Sequence, residues 1–303
     1  MGRWPAVAET GSSLHDVFLP FSEAELLEHF VDTGRGGDPR RHLTAWRARI
    51  AAADLKLMSD PTYLERDETL WTAGALLAFH RHPDARDRWR RLLPLALGES
   101  PATAEPLTWD DLLGDGMRLF FEVGLPSPAA YSAWLREHLD HRHPLAAQRA
   151  ASAASRRALE GRTHLDAMLL NPATGFAVHF EAKVLSDIDT KTKHDALRNQ
   201  LARNIDCMAA PAGESATILA QRRPERSFLV LLTPELFRRN RTSRLYGPLM
   251  DAYKNDPAAL ARDLPHLDPA TCVGLSRRLG WLTFEDLQKV EPAVSVDHVS
   301  GTR

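Results

Sequence analysis

"THLDAMLLNPATGFAVHFEAKVLSDID", residues 163–189, is the stretch whose reading decides the fold. Two apolar runs, 162–170 and 175–183, flank Asn171-Pro172-Ala173-Thr174. Asn-Pro starts a turn, and Gly175 supplies a positive φ to close it. The pattern predicts a β-hairpin. Yet Asp166 interrupts the first run, and Glu181-Ala182-Lys183 ends the second. With the turn centred near Ala173, Asp166 falls across from Glu181 or diagonal to it. Side chains alternate faces along a strand, so Glu181 and Lys183 share one side and Ala182 points to the other.

Two carboxylates that close repel, and one stays protonated unless a cation neutralises both. A hard divalent ion, Mg²⁺ or Mn²⁺, suits one or two carboxylates completed by water. Lys183 would then sit beside a metal-bound water, orienting it or stabilising charge on a phosphate. The pattern suits metal-assisted phosphodiester hydrolysis. An E-x-K read alone is also what the exposed face of an amphipathic strand carries, with Asp166 paired to Arg162 or His164. Against that stand the partner-strand register of Asp166 and the apolar flanks Leu165, Met168, Leu169, Val178, Phe180, Val184 and Leu185.

Outward from the hairpin, "KHDALRNQLARNIDCMAA" (193–210) reads as a helix and "SFLVLLTP" (227–234) as a strand buried on both faces. Upstream, "SEAELLEHFVD" (22–32) opens on a capping box of Ser22 and Glu25. Segments 42–58, 67–82, 84–98 and 108–124 also read as helices, and Ala-rich 128–159 as a long one broken near Pro144. Beyond 235 the chain reads as helices, including "TCVGLSRRLGWLTFEDLQKV" (271–290). The expected division is a helical region over 1–125, a core over 126–250 and a helical extension over 251–303.

At 303 residues and 44% apolar, the chain can build a sizeable core without disulfides. Cys207 and Cys272 have no CxxC spacing, which argues against a disulfide framework or a zinc site and fits a reducing compartment. There is no signal-like N-terminus and no long apolar span, so a cytoplasmic protein without a membrane segment is expected. Net charge is −2, no signal for nucleic acid, but the distribution is uneven. Residues 151–250 carry 15 basic and 10 acidic side chains, against 23 and 30 elsewhere. Two clusters, Arg222/Arg223/Arg226 and Arg238/Arg239/Arg241/Arg244, are either solvated helix ends or a phosphate-contact surface. His138, His141 and His143 make a weak metal pattern, His164 and His179 flank the acids, and the tryptophans read as packing anchors. No Walker loop and no G-x-S-x-G elbow occurs.

On "GRTHLD", "FEAK" and the following "RNQLARN", the chain resembles the PD-(D/E)xK nuclease superfamily. The resemblance covers about residues 128–235, and Leu165 stands where the family name has proline. It implies an α/β fold: a restriction-endonuclease-like αβββαβ core with helical regions before and after it. It implies Asp166 and Glu181 as ligands of Mg²⁺ or Mn²⁺, the Ala182 carbonyl as a backbone ligand and Lys183 as the catalytic lysine. Gln200 would assist from the next helix, with Arg203 and Asn204 nearby. A further metal-binding glutamate from the first helix would be Glu160, or else Glu137. The implied activity is a nuclease, with DNA the favoured substrate and restriction, defence or repair the setting. A second copy of the chain or a partner subunit is left open. So is a non-catalytic nucleic-acid-binding or assembly module of the same fold.

Overall fold

The computed structural model describes residues 22–31, 39–41, 43–48, 52, 67–142, 160–191, 195–211, 217–292 and 294. Its centre is one mixed sheet of five strands in the order β1-β2-β3-β4-β5. These are β1 (Arg118–Leu125), β2 (Thr163–Asn171), β3 (Phe176–Ala182), β4 (Ser227–Thr233) and β5 (Leu279–Thr283). The first three form an antiparallel meander; β3, β4 and β5 run parallel. Helix Gln200–Ala209 lies in the crossover from β3 to β4, the kind of connection parallel neighbours require.

Both faces of the sheet are covered. One face of β3 and β4, including Val178, Phe180, Val230 and Leu232, packs with helices Glu68–His80 and Ala85–Leu97 through Leu76, Leu77, Phe79, Trp89 and Leu93. The other face, with Leu229 and Leu231, meets Leu201, Ile205 and Met208 and the helices around Met250, Leu260 and Leu275. Burial on both sides explains why β4 reads as an unbroken apolar run. Trp46, Trp89 and Trp109 are all buried packing groups.

The hairpin turn is built by its own residues. Asn171 accepts the Ala173 N–H and donates to the Leu113 carbonyl at 2.5 Å. Gly175 has φ +74, and a Cβ there would lie 2.5 Å from the Arg223 side chain, so only glycine fits.

Two segments read as helical contain strands. In 108–124 the helix is only Trp109–Leu113, capped by Thr108, and it ends at Gly114 with φ +41. After Gly116 the run "RLFFEVGL" is β1, buried at six of its eight positions. In 271–290, "LGWLT" is β5 between two short helices. Each is an apolar run of strand length bounded by helix-like sequence, where periodicity cannot separate strand from buried helix. The sheet therefore extends past both ends of the expected 126–250 core. The long helix expected over 128–159 is present as Ala129–Arg142; its remainder lies outside the described residues. Among the described residues no helix is long and apolar enough to cross a membrane.

Candidate active site

The β2–β3 ladder pairs Ala167 with Phe180 and runs no further, so the next row, Asp166 against Glu181, is where the two strands open. The N–H of Ala182 does not bond a backbone carbonyl of β2; it donates to the Asp166 carboxylate on that strand at 2.7 Å. β3 stays bound to β4 through this row, and the Lys183 N–H extends the ladder to the Leu232 carbonyl at 2.9 Å. The opening is thus one-sided: β3 remains paired to β4 while the two carboxylates face each other across the gap.

Glu181 is 1% exposed and Lys183 6% exposed. An open, salt-bridged surface strand is therefore not what these residues form. The Lys183 ammonium lies 2.8 Å from Glu181 Oε1. Gln200 Nε2 donates to the same oxygen at 2.6 Å, and Asn204 Nδ2 to Oε2 at 2.6 Å. Gln200 and Asn204 are one turn apart on helix Gln200–Ala209, so they address Glu181 from one face. Arg203 turns away, to the carbonyls of Gly161 and Arg162.

A residue that sequence reasoning missed completes the cluster. Glu68, at the start of helix Glu68–His80, reaches Lys183 Nζ at 3.4 Å and accepts the Val184 N–H at 3.1 Å and the Ser186 hydroxyl. An acid in a helix's first turn is ordinary there, so nothing local marked it; sequence separation hid it.

Burial, and next the facing Glu181 charge, push the Asp166 carboxyl well above the usual carboxylate range, against the pull of Lys183. Burial raises Glu181 too, with Lys183 and Asn204 pulling the other way. Burial alone would lower the Lys183 pKa, but Glu181, Asp166 and Glu68 together hold it above its ordinary value. Lys183 is therefore an ammonium at neutral pH, a donor and not a base.

Glu160, expected near the acids, is held elsewhere. It accepts from Ser127 at 2.7 Å and pairs with Arg203 and Arg198, ahead of the start of β2. Glu137 is exposed on helix Ala129–Arg142. Neither occupies the place beside Lys183; Glu68 does. His179 is fully buried in β3, where burial and then Arg222 lower its pKa. His164 is exposed. His138 bonds the Trp134 carbonyl and stacks on its ring, and His143 lies outside the described residues.

In the first arginine cluster Arg222 and Arg226 are bound within the fold, and all three lie at the far end of the strand from the acids. Ser227 pairs with Ala177, four residues from Glu181, or about 13 Å along the strand. Arg222 is buried and binds the Met208 and Cys207 carbonyls that end helix Gln200–Ala209. Arg226 holds Thr174 and Glu105, while Arg223 is exposed against the hairpin turn. The second cluster follows the C-terminal end of β4, the end where Lys183 lies. There Arg238 is bidentate to Asp286, Arg239 pairs with Glu235 and Arg241 with Asp251. Arg244 donates to the Leu185 carbonyl at 3.1 Å.

No family model, curated protein or solved structure matches this chain.

Among the described residues no group of three or more His, Cys, Asp or Glu side chains is arranged to hold a metal ion. Two hard oxygen donors do face each other, and burial above all raises both carboxyls, so a cation seated between them would offset the cost of ionising them there. That donor set fits a cation that takes one or two carboxylates and completes its shell with water, as Mg²⁺ does.

Proposed function

We propose that this chain is a metal-dependent nuclease that hydrolyses phosphodiester bonds, with DNA the favoured substrate, on a restriction-endonuclease-like core. The observation that carries the reading is the row Asp166–Glu181 with the Lys183 ammonium 2.8 Å from Glu181. Further support is the order of elements: a three-stranded meander, a helix bearing Gln200, then a parallel strand. Asp166 and Glu181 would hold Mg²⁺ or Mn²⁺, which when bound supplies Lewis acidity and an activated water. Glu68 holds Lys183, the Val184 N–H and the Ser186 hydroxyl in position. Lys183, fixed as a cation, hydrogen-bonds the attacking water or stabilises charge growing on the phosphate. Gln200 and Asn204 fix the Glu181 carboxylate.

The test is incubation of the purified chain with plasmid, linear duplex and single-stranded DNA and with RNA, in Mg²⁺, Mn²⁺ or EDTA. Metal-dependent cleavage that disappears in D166A, E181A and K183A is the expected result. Cleavage that survives EDTA, or the triple substitution, ends this reading.

One observation favours a non-catalytic nucleic-acid-binding module of the same fold. Both Glu181 oxygens and one Asp166 oxygen already have hydrogen-bond donors. Calorimetric titration with Mg²⁺ separates the two, because a retired site takes up no metal.

A further inference from the structure

One residue of β1 departs from strand geometry. Glu122 has φ +51, and among the described residues it is the one non-glycine with a positive φ. Its Cβ makes that left-handed backbone unfavourable. The position is also singular in the sheet. β1 pairs with β2 at Phe121–Ala167 and at Val123–Leu165, and the row between them, Glu122 against Asp166, is skipped. The β2–β3 ladder ends beside the same row, at Ala167–Phe180. Asp166 is therefore released from the strands on both sides of it.

The two cores on either side of the sheet register a reversal at that row. Alternate side chains of a regular strand share a face. Leu119 and Phe121 of β1 pack with Ala167 and Leu169 of β2 on one face. Val123, Leu125 and Leu165 fall on the same alternation, yet they pack on the other face, with Phe120 and Met168. Both strands turn over across the row, and their register does not change. A strand residue ordinarily has φ of about −140°, so φ +51 rotates the chain by roughly half a revolution at Glu122. At the same row the Asp166 carboxylate reaches across the gap to the Ala182 N–H at 2.7 Å, a donor that an unbroken ladder would give to a β2 carbonyl.

We propose that Glu122 is a positioning residue: its left-handed backbone turns β1 and β2 over at one row and thereby sets the Asp166 carboxylate in the gap beside β3, facing Glu181. Backbone strain held next to a candidate site is strain that the surrounding structure maintains for a purpose. The device is the backbone conformation and not the Glu122 carboxylate. Side chains that tolerate a positive φ therefore preserve it, and side chains that reject one destroy it. The placement of Asp166 stands without the nuclease reading; its consequence for metal uptake rests on that reading.

Amide NMR of the metal-free protein tests it, with calorimetric titration of Mg²⁺ on the same samples. E122N, whose side chain tolerates a positive φ, retains the wild-type Ala182 amide resonance and the wild-type Mg²⁺ affinity. E122V, β-branched and an outlier in that region, displaces the Ala182 resonance, as D166A does, and weakens Mg²⁺ binding about tenfold or more. The Lys183 amide is the internal control. It bonds the Leu232 carbonyl on the side of β3 that stays paired, so its exchange rate is the wild-type rate in both variants. E122A, strained but unbranched, repeats the E122V result in smaller measure and carries the test where E122V does not fold. An Ala182 resonance unmoved in E122V and E122A overturns the inference. So does one displaced equally in E122N, because the carboxylate is then the cause, and so does loss of Lys183 protection along with the Ala182 shift, because the role is then merely structural. A wild type that takes up no Mg²⁺ while the Ala182 pattern holds removes the metal-dependent nuclease reading and leaves the positioning role standing.

Discussion

The backbone N–H of Ala182 donates to the Asp166 carboxylate across the opening of the hairpin, at 2.7 Å. One acid of the candidate site thus fills the place of a missing ladder bond, and its removal has two separable effects. D166N retains a carbonyl oxygen for the Ala182 N–H but removes a charge facing Glu181. Cleavage should vanish while the metal-free protein melts no lower than the wild type. D166A leaves that N–H unpaired and should cost about 1–3 kcal/mol in urea denaturation. A large loss of stability in D166N contradicts the account of the row.

Glu68 is the acid that connects the N-terminal helices to the site. E68Q keeps one acceptor oxygen for Val184 and Ser186 but loses the carboxylate charge and the second acceptor facing Lys183, so turnover should fall about tenfold or more with folding preserved. E68A removes the acceptor for Val184 and Ser186 as well, and should also lower the melting temperature. Turnover in E68Q equal to wild type would return Glu68 to the role of an ordinary first-turn acid.

Arg222 and Arg244 should behave as opposites. Arg222 is buried against the carbonyls that end helix Gln200–Ala209, and burial drops its pKa to about 10. R222M strands those carbonyls and should cost about 2–4 kcal/mol in denaturant titration, with unchanged oligonucleotide affinity of the folded fraction. R244Q should cost little stability and weaken binding. The reverse pattern refutes the assignment of the two clusters.

His80 sets an acid limb. Its Nδ1 accepts the Trp89 indole N–H, and burial lowers its pKa from 6.5 to about 4. The folded state then binds fewer protons than the unfolded chain. This contribution is fully present above pH 6.5 and is lost as pH falls toward 4, a loss of at most about 3 kcal/mol. H80Q retains an acceptor without titrating, so its urea midpoint should fall less between neutral pH and pH 4. Parallel curves for the two proteins would remove His80 as the cause.

The hairpin was legible in the sequence because its signals are local: Asn171 and Gly175 form the turn, and the strand period places Asp166 against Glu181. The same holds for the Ser22–Glu25 capping box and the apolar run of β4. Strands β1 and β5 were not legible, because "RLFFEVGL" and "LGWLT" are apolar runs whose partners lie far along the chain, and only pairing makes them strands. Glu68 meets Lys183 across 115 residues, and whether an arginine faces solvent or a helix end depends on what packs over it. Local pattern, in short, determined the acids and their register; the tertiary fold decided which distant carboxylate joins them and which arginines remain at the site.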